Sequence, residues 1–188
     1  TGMLPTPEII AETAKLITIG DLKNVIVDPV VRSTSGFDLI SDEALRALIA
    51  GLFPIANLVT PNLPEAERIT EMKISSVAHI HTAARKIQSM GARNVLIKGG
   101  HAFEGEDVSG GKLATDFLFI GGRLELFEAE YIETTSTHGT GCTLSAAIAA
   151  NLALGFDLIE SVQKAKAFVT EAIRTAPKLG KGNSPINI

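Results

Sequence analysis

Four stretches of this 188-residue sequence hold residue types that could do chemistry, and each stands where a strand gives way to a turn or a helix. Asp28 follows Val25-Ile26-Val27. Thr60, Pro61, Asn62 and, one turn on, Glu65 follow Leu58-Val59. Lys98, Gly99, Gly100 and His101 follow Val95-Leu96-Ile97. Thr137 and His138 lead into Gly139-Thr140-Gly141-Cys142-Thr143, ahead of an apolar helix. Two carboxylates, one lysine and one glycine-rich helix start suit phosphoryl transfer. Carboxylates can hold Mg²⁺, directly or through water, because Mg²⁺ prefers few carboxylates plus phosphate oxygens. The lysine can neutralise phosphate charge, and the glycines let backbone N–H groups approach an anion at the positive end of a helix.

Each residue alone also fits a plainer role. Asp28 before Pro29 fits a turn, Glu65 fits the dipole of its own helix, and Lys98 before two glycines fits a solvated loop. His101 reads as structural. His79 and His81, two residues apart on a helix, face different sides and receive no metal role. The convergence after successive strands is what points to a site. Competing motifs fail on residue grounds. Gly105 and Gly110 have the glycine spacing of a Walker A loop, but Gly111 stands where lysine belongs. The dinucleotide fingerprint fails because Leu144 occupies its third glycine position. A phosphatase built on Cys142 would need an arginine in the same anion loop, and residues 142–150 contain none.

The elements that must position these residues alternate between helix and strand. Thr6-Pro7-Glu8 is a helix start, with Thr6 as N-cap and Pro7 at the first helical position, and Gly20 closes that helix. Ser41 and Ser76 open further helices, and residues 62–68 form a short one. Val25–Val27, Leu58–Thr60 and Val95–Ile97 are short apolar runs read as buried strands. Gly121-Gly122 between Phe117-Leu118-Phe119 and Leu124-Glu125-Leu126 signals a hairpin, which adds antiparallel strands. Two helices close the chain, from Thr140 to Leu154 and from about Leu158 to Ala176. The pattern predicts one α/β domain over 1–188 with an open, mostly parallel sheet, whose ligand site lies at the C-terminal ends of the strands.

Composition sets bounds on this reading. Apolar residues make up 45% and charged residues 20%, an ordinary globular balance. A net charge of −4 gives no reason to expect nucleic acid or an anionic membrane as partner. No apolar run is long enough to span a bilayer. A single cysteine excludes an internal disulfide and suits a reducing, cytoplasmic setting. A lone cysteine is most often a small buried hydrophobe, so Cys142 must be judged against that background.

Taken together, the segments resemble the ribokinase superfamily, and within it the hydroxymethylpyrimidine and phosphomethylpyrimidine kinases of thiamine biosynthesis. The matching segments are Val27-Asp28-Pro29-Val30 with Ser33-Thr34-Ser35-Gly36, then Thr60-Pro61-Asn62-Leu63-Pro64-Glu65. They continue with Lys98-Gly99-Gly100-His101, with Thr137 to Ala147, and with a tail from Gly180 to Asn187. The resemblance implies a ribokinase-like fold, ATP and Mg²⁺ as cofactors, and a small pyrimidine substrate. It implies that Asp28, Asn62 and Glu65 organise the metal, that Lys98 lies near the ATP phosphates, and that Gly139, Thr140 and Gly141 form an anion hole. Thr60 and Lys166 join the nucleotide-binding set, Lys166 as one wall of the adenine pocket. Cys142 takes the place where most of the superfamily carries an aspartate base. A thiol at a helix N-terminus has its pKa lowered, and a positioned base of moderate pKa can take the acceptor proton.

One departure from the family pattern shapes the expectations. The family's opening strand and its Gly-rich substrate-contacting segment precede the counterpart of Gly2-Met3-Leu4, so the first strand is expected to be missing and the 188 residues alone to be weak or inactive as a kinase. A pyridoxal or pyridoxine kinase of the same fold is the alternative, and a nucleotide-binding remnant without catalysis is a third reading. A homodimer is the default assembly.

Overall fold

The computed structural model describes residues 1–32, 37–100, 112–177, 179 and 182–188. The expected helix starts form where short polar side chains satisfy the first backbone donors. Thr6 accepts from the N–H of Ile9 at the start of α1 (Pro7–Ile19), and Ser41 accepts from the N–H of Ala44 at the start of α2 (Asp42–Leu52). Asn62 opens α3 (Leu63–Thr70), Ser76 opens α4 (Val77–Ser89) and Asp157 opens α6 (Leu158–Arg174). Among the described α-helices, α5 (Thr140–Ala153) alone starts without a side-chain cap, at Gly139.

The apolar runs become β1 (Ile26–Val27), β2 (Leu58–Val59) and β3 (Val95–Lys98). β1 pairs with β2 and β2 with β3, all parallel, in the register Ile26↔Leu58, Val27↔Val59 and Val59↔Val95. Their apolar residues are all buried, as befits a parallel sheet covered on both faces. Thr1 lies along β1: its backbone nitrogen donates to the carbonyl of Ile26, and its carbonyl accepts from the N–H of Asp28. The sheet order is β1-β2-β3-β4-β5, with β4 (Leu113–Ile120) and β5 (Arg123–Glu130) as the hairpin. Its turn residues Gly121 and Gly122 both have positive φ, 56° and 78°, which an I′ turn demands and glycine supplies. Each strand runs eight residues, well past the apolar triplets that announced the hairpin.

The chain forms two compact units. The first comprises Thr1–Lys98 with Phe117–Leu126, and the second Gly99–Asp116 with Phe127–Ile188. In the first, α1 packs on α2 and α3 on α4, and Phe53, Leu58, Ile80, Ile87 and Leu96 are among its fully buried side chains. In the second, α5 packs on α6. The tail of the second unit is tied to the segment that enters α5. Ser184 donates through its N–H to the carbonyl of Thr135, and its carbonyl accepts from the N–H of His138. Among the described residues no helix is long and apolar enough to cross a membrane.

Candidate functional site

In the first unit the parallel strands end side by side, and the chemistry-bearing residues follow directly. Lys98 forms a parallel bridge with Asn62, and its N–H donates to the carbonyl of Pro61 at 2.8 Å. Asp28, one residue beyond β1, is only 2% exposed. A carboxylate so deep needs a charge partner and hydrogen bonds. Its Oδ1 has both: the Lys98 ammonium at 2.7 Å and the Thr60 hydroxyl at 3.2 Å. Thr60 is fully buried, and its hydroxyl also reaches the carbonyl of Val27. The lysine expected near phosphate is therefore already the counter-charge of the aspartate expected near metal.

Asn62 and Glu65 form a reciprocal capping box at the start of α3. Asn62 Oδ1 accepts from the N–H of Glu65, and Glu65 Oε2 accepts from the N–H of Asn62, both at 2.8 Å. This satisfies two helix-end donors at once. The cap draws the Glu65 carboxyl to 2% exposure. Burial raises its pKa to about 7, against the pull of Lys98 and the Asn62 N–H, while Asp28 pushes the same way as burial. The helix-end role falls on the same atoms that the sequence reading assigns to the metal. Among the described residues no three or more His, Cys, Asp or Glu side chains gather to hold a metal. Asp28, Asn62 and Glu65, with an ammonium among them, are too few to enclose an ion. They fit one that fills its shell with water and phosphate oxygens, as Mg²⁺ does.

In the second unit, Gly139 adopts φ +85° as the residue before α5. A Cβ there would meet nothing within 4 Å, so glycine is required by the backbone conformation and not by space. Thr140 ties its hydroxyl to the carbonyl of Thr137 at 2.8 Å, and Thr143 N–H reaches the Gly139 carbonyl at 2.9 Å. Cys142 is exposed in the first turn of the helix. It is not the buried hydrophobe that a lone cysteine usually is. Lys166 is 9% exposed, and its ammonium lies 2.7 Å from Asp116 Oδ2. Asp116 was not anticipated from sequence. Its one signal is a charged residue placed directly before the apolar run Phe117-Leu118-Phe119 in a strand.

Asp28, Thr60, Asn62, Glu65 and Lys98 thus come together in the first unit, while Gly139, Thr140, Gly141, Cys142 and Lys166 belong to the second. His101, Ser33 to Gly36, Gly180, Lys181 and the rejected pair Gly105 and Gly110 lie outside the described residues.

Known proteins share the sequence and fold of this chain. A family model described as phosphomethylpyrimidine kinase matches residues 1–187. The thiamine biosynthesis bifunctional protein ThiED of Geobacter sulfurreducens is 44% identical over 187 residues, which cover all of this chain and 37% of that protein. The hydroxymethylpyrimidine/phosphomethylpyrimidine kinase of Bacillus subtilis is 40% identical, covering all of this chain and 67% of that protein. The solved structure of Bacillus subtilis pyridoxal kinase in complex with ADP superposes with a TM-score of 0.87 at 39% identity, covering all of this chain and 67% of that one. The chain therefore spans between about a third and two thirds of the length of these relatives. The ribokinase-like α/β fold expected from the sequence is the fold it shares with them.

Proposed function

The chain belongs to the phosphomethylpyrimidine kinase family, and we propose that it carries the phosphate-handling and proton-accepting residues of an ATP-dependent kinase. Its acceptors are the hydroxymethyl oxygen of 4-amino-5-hydroxymethyl-2-methylpyrimidine and, in the monophosphate, a phosphate oxygen. The observation that carries this reading is the buried Asp28–Lys98 pair, at 2.7 Å, beside the Asn62–Glu65 box. Such a cluster is costly to maintain and has an evident use where phosphate and metal charge arrive together.

Asp28, Asn62 and Glu65 would hold Mg²⁺, mainly through water, and the ion would supply charge neutralisation on the phosphates. Lys98 exchanges its contact with Asp28 for ATP phosphate oxygens. Thr60 keeps the Asp28 carboxylate oriented. The backbone of Gly139 to Cys142 binds the transferred phosphoryl group at the positive end of α5. Cys142, as thiolate, takes the proton from the acceptor hydroxyl. That oxygen forms its bond to the γ-phosphorus as the bond from the γ-phosphorus to the β–γ bridging oxygen breaks, and ADP leaves. Cys142 acts as a general base, with no phosphocysteine on the path.

The likeness to a pyridoxal kinase structure keeps one second reading in view, since pyridoxal also presents a hydroxymethyl group on an aromatic ring. Steady-state phosphorylation with Mg-ATP on the two pyrimidines and on pyridoxal separates them, with the family's opening strand and Gly-rich segment joined ahead of this chain. Higher kcat/KM on the pyrimidines is expected. Preference for pyridoxal would move the assignment to the second reading, and ATP binding without transfer to any of the three would overturn both. A homodimer in the cytoplasm completes the proposal, and light scattering tests the assembly.

A further inference from the structure

Lys98 is held by more than its partner Asp28. Its own N–H donates to the Pro61 carbonyl at 2.8 Å, which fixes the backbone on its N-terminal side. On the C-terminal side, the N–H of Gly99 donates to Asp116 Oδ1 at 3.1 Å. That N–H belongs to the peptide plane that leaves Lys98, so holding it sets the ψ angle of Lys98. The next carbonyl, that of Gly100, accepts from the N–H of Thr115 at 2.8 Å. Gly100 adopts φ +56° with nothing within 4 Å of an added Cβ, so this turn depends on conformation and not on close packing.

Asp116 divides its two oxygens between different tasks. Oδ1 takes the Gly99 N–H and Oδ2 takes the Lys166 ammonium at 2.7 Å. Asp116 is 6% exposed and Lys166 9%. A buried ion pair serving packing alone would need only the second contact. Lys166 has no acceptor to offer Gly99. Its ammonium holds one oxygen of Asp116 so that the other faces the turn.

We infer that Asp116 is a positioning residue for the reaction: through the Gly99 peptide it fixes the backbone from which Lys98 projects, and Lys166 holds Asp116 in that role. The functional half of this inference rests on the reading of Lys98 as a phosphate-handling residue. A misplacement of about 1 Å in such a group costs on the order of a hundredfold in rate.

Two double variants isolate the contact. Lys166→Met with Asp116→Asn and Lys166→Met with Asp116→Leu both remove the buried charges, but only asparagine retains an acceptor for Gly99. Amide hydrogen exchange of Gly99 and kcat with Mg-ATP are measured in both, with Asp116→Ala in the same background if the leucine variant fails to fold. Gly99 should exchange at least about tenfold faster in the leucine variant, with Leu96 and Ile97 unchanged. Its kcat should lie at least about tenfold below that of the asparagine variant, with KM for ATP within about threefold. Equal Gly99 exchange in the two variants would overturn the inference, and so would unequal exchange with equal kcat. Absence of phosphoryl transfer in the parent protein would sink the kinase reading instead, and the exchange comparison would still decide whether Asp116 holds the turn.

Discussion

The cluster around Asp28 and the turn at Cys142 solve opposite problems. Asp28, Glu65 and Thr60 are buried, and Lys98 is nearly so. Their polar groups are matched in a poorly solvated place: ammonium on carboxylate, hydroxyl on carboxylate, carboxyl on a helix-end N–H. The turn at Gly139 to Cys142 is built differently. It leaves a helix start without a side-chain cap and presents its cysteine at the surface. A pre-paired cluster puts fold stability and the proposed function on the same atoms. An exposed thiol on an uncapped turn separates them. Substitutions in the first region should therefore disturb folding and chemistry together, and those in the second should affect chemistry alone.

The sharpest break comes from Lys98→Met. Removing the ammonium leaves Asp28 buried without its charge partner, and such a loss costs about 3–5 kcal/mol. Denaturant unfolding should show a loss in that range, and the Glu65 pKa should rise further because Lys98 no longer pulls it down. A loss below ~1 kcal/mol would mean that the pair is not what holds the cluster.

Glu65 gives a pH-dependent test. Its folded pKa is raised from 4.5 to about 7, so between those values the folded state binds more protons than the unfolded one. Stability from this group is therefore full below pH ~4.5 and is lost as pH rises through about 7, by about 3 kcal/mol in all. In metal-chelated buffer, the parent should lose about 2.5 kcal/mol more than Glu65→Gln between pH 5 and 8. Parallel stability profiles would contradict the buried-carboxyl account.

Smaller effects complete the contrast. Asn62→Ala removes half of the capping box and should cost ~1 kcal/mol, measured by thermal or denaturant unfolding. Cys142→Ser touches an exposed position and should stay within ~0.5 kcal/mol of the parent. Should Cys142→Ser destabilise as much as Asn62→Ala, the separation of stability from chemistry at α5 would fail.

Much of this architecture could be read in the residues before the fold was known. Thr6-Pro7, Ser41 and Ser76 announced their helices because capping is local, and the apolar triplets announced β1 to β3 because both sheet faces are covered. The hairpin was legible at its Gly121-Gly122 turn but not at its ends. β5 carries Glu128 and Glu130 on an open face, where the apolar signal fades. Pairings were least visible. Asp28 and Lys98 were each placed after a strand, but nothing local says that two residues 70 apart will share a hydrogen bond. Asp116 was missed for the same reason: its partners, Gly99 and Lys166, lie 17 residues before it and 50 after it. Glu65 was weighed as either helix dipole or metal group, and the cap makes it the first without removing it from the second.

The central claim is that Cys142 is the base of a phosphoryl transfer and stands apart from the fold's stability. Single-turnover phosphorylation of the hydroxymethylpyrimidine by a Cys142→Ala variant tests it most directly, with its unfolding free energy measured in parallel. The account predicts a fall of about 10²–10⁴ in the rate, an unfolding free energy within ~0.5 kcal/mol of the parent, and no phosphocysteine trapped in the parent incubated with ATP. A Cys142→Ala variant that transfers phosphate at the parent rate would contradict it.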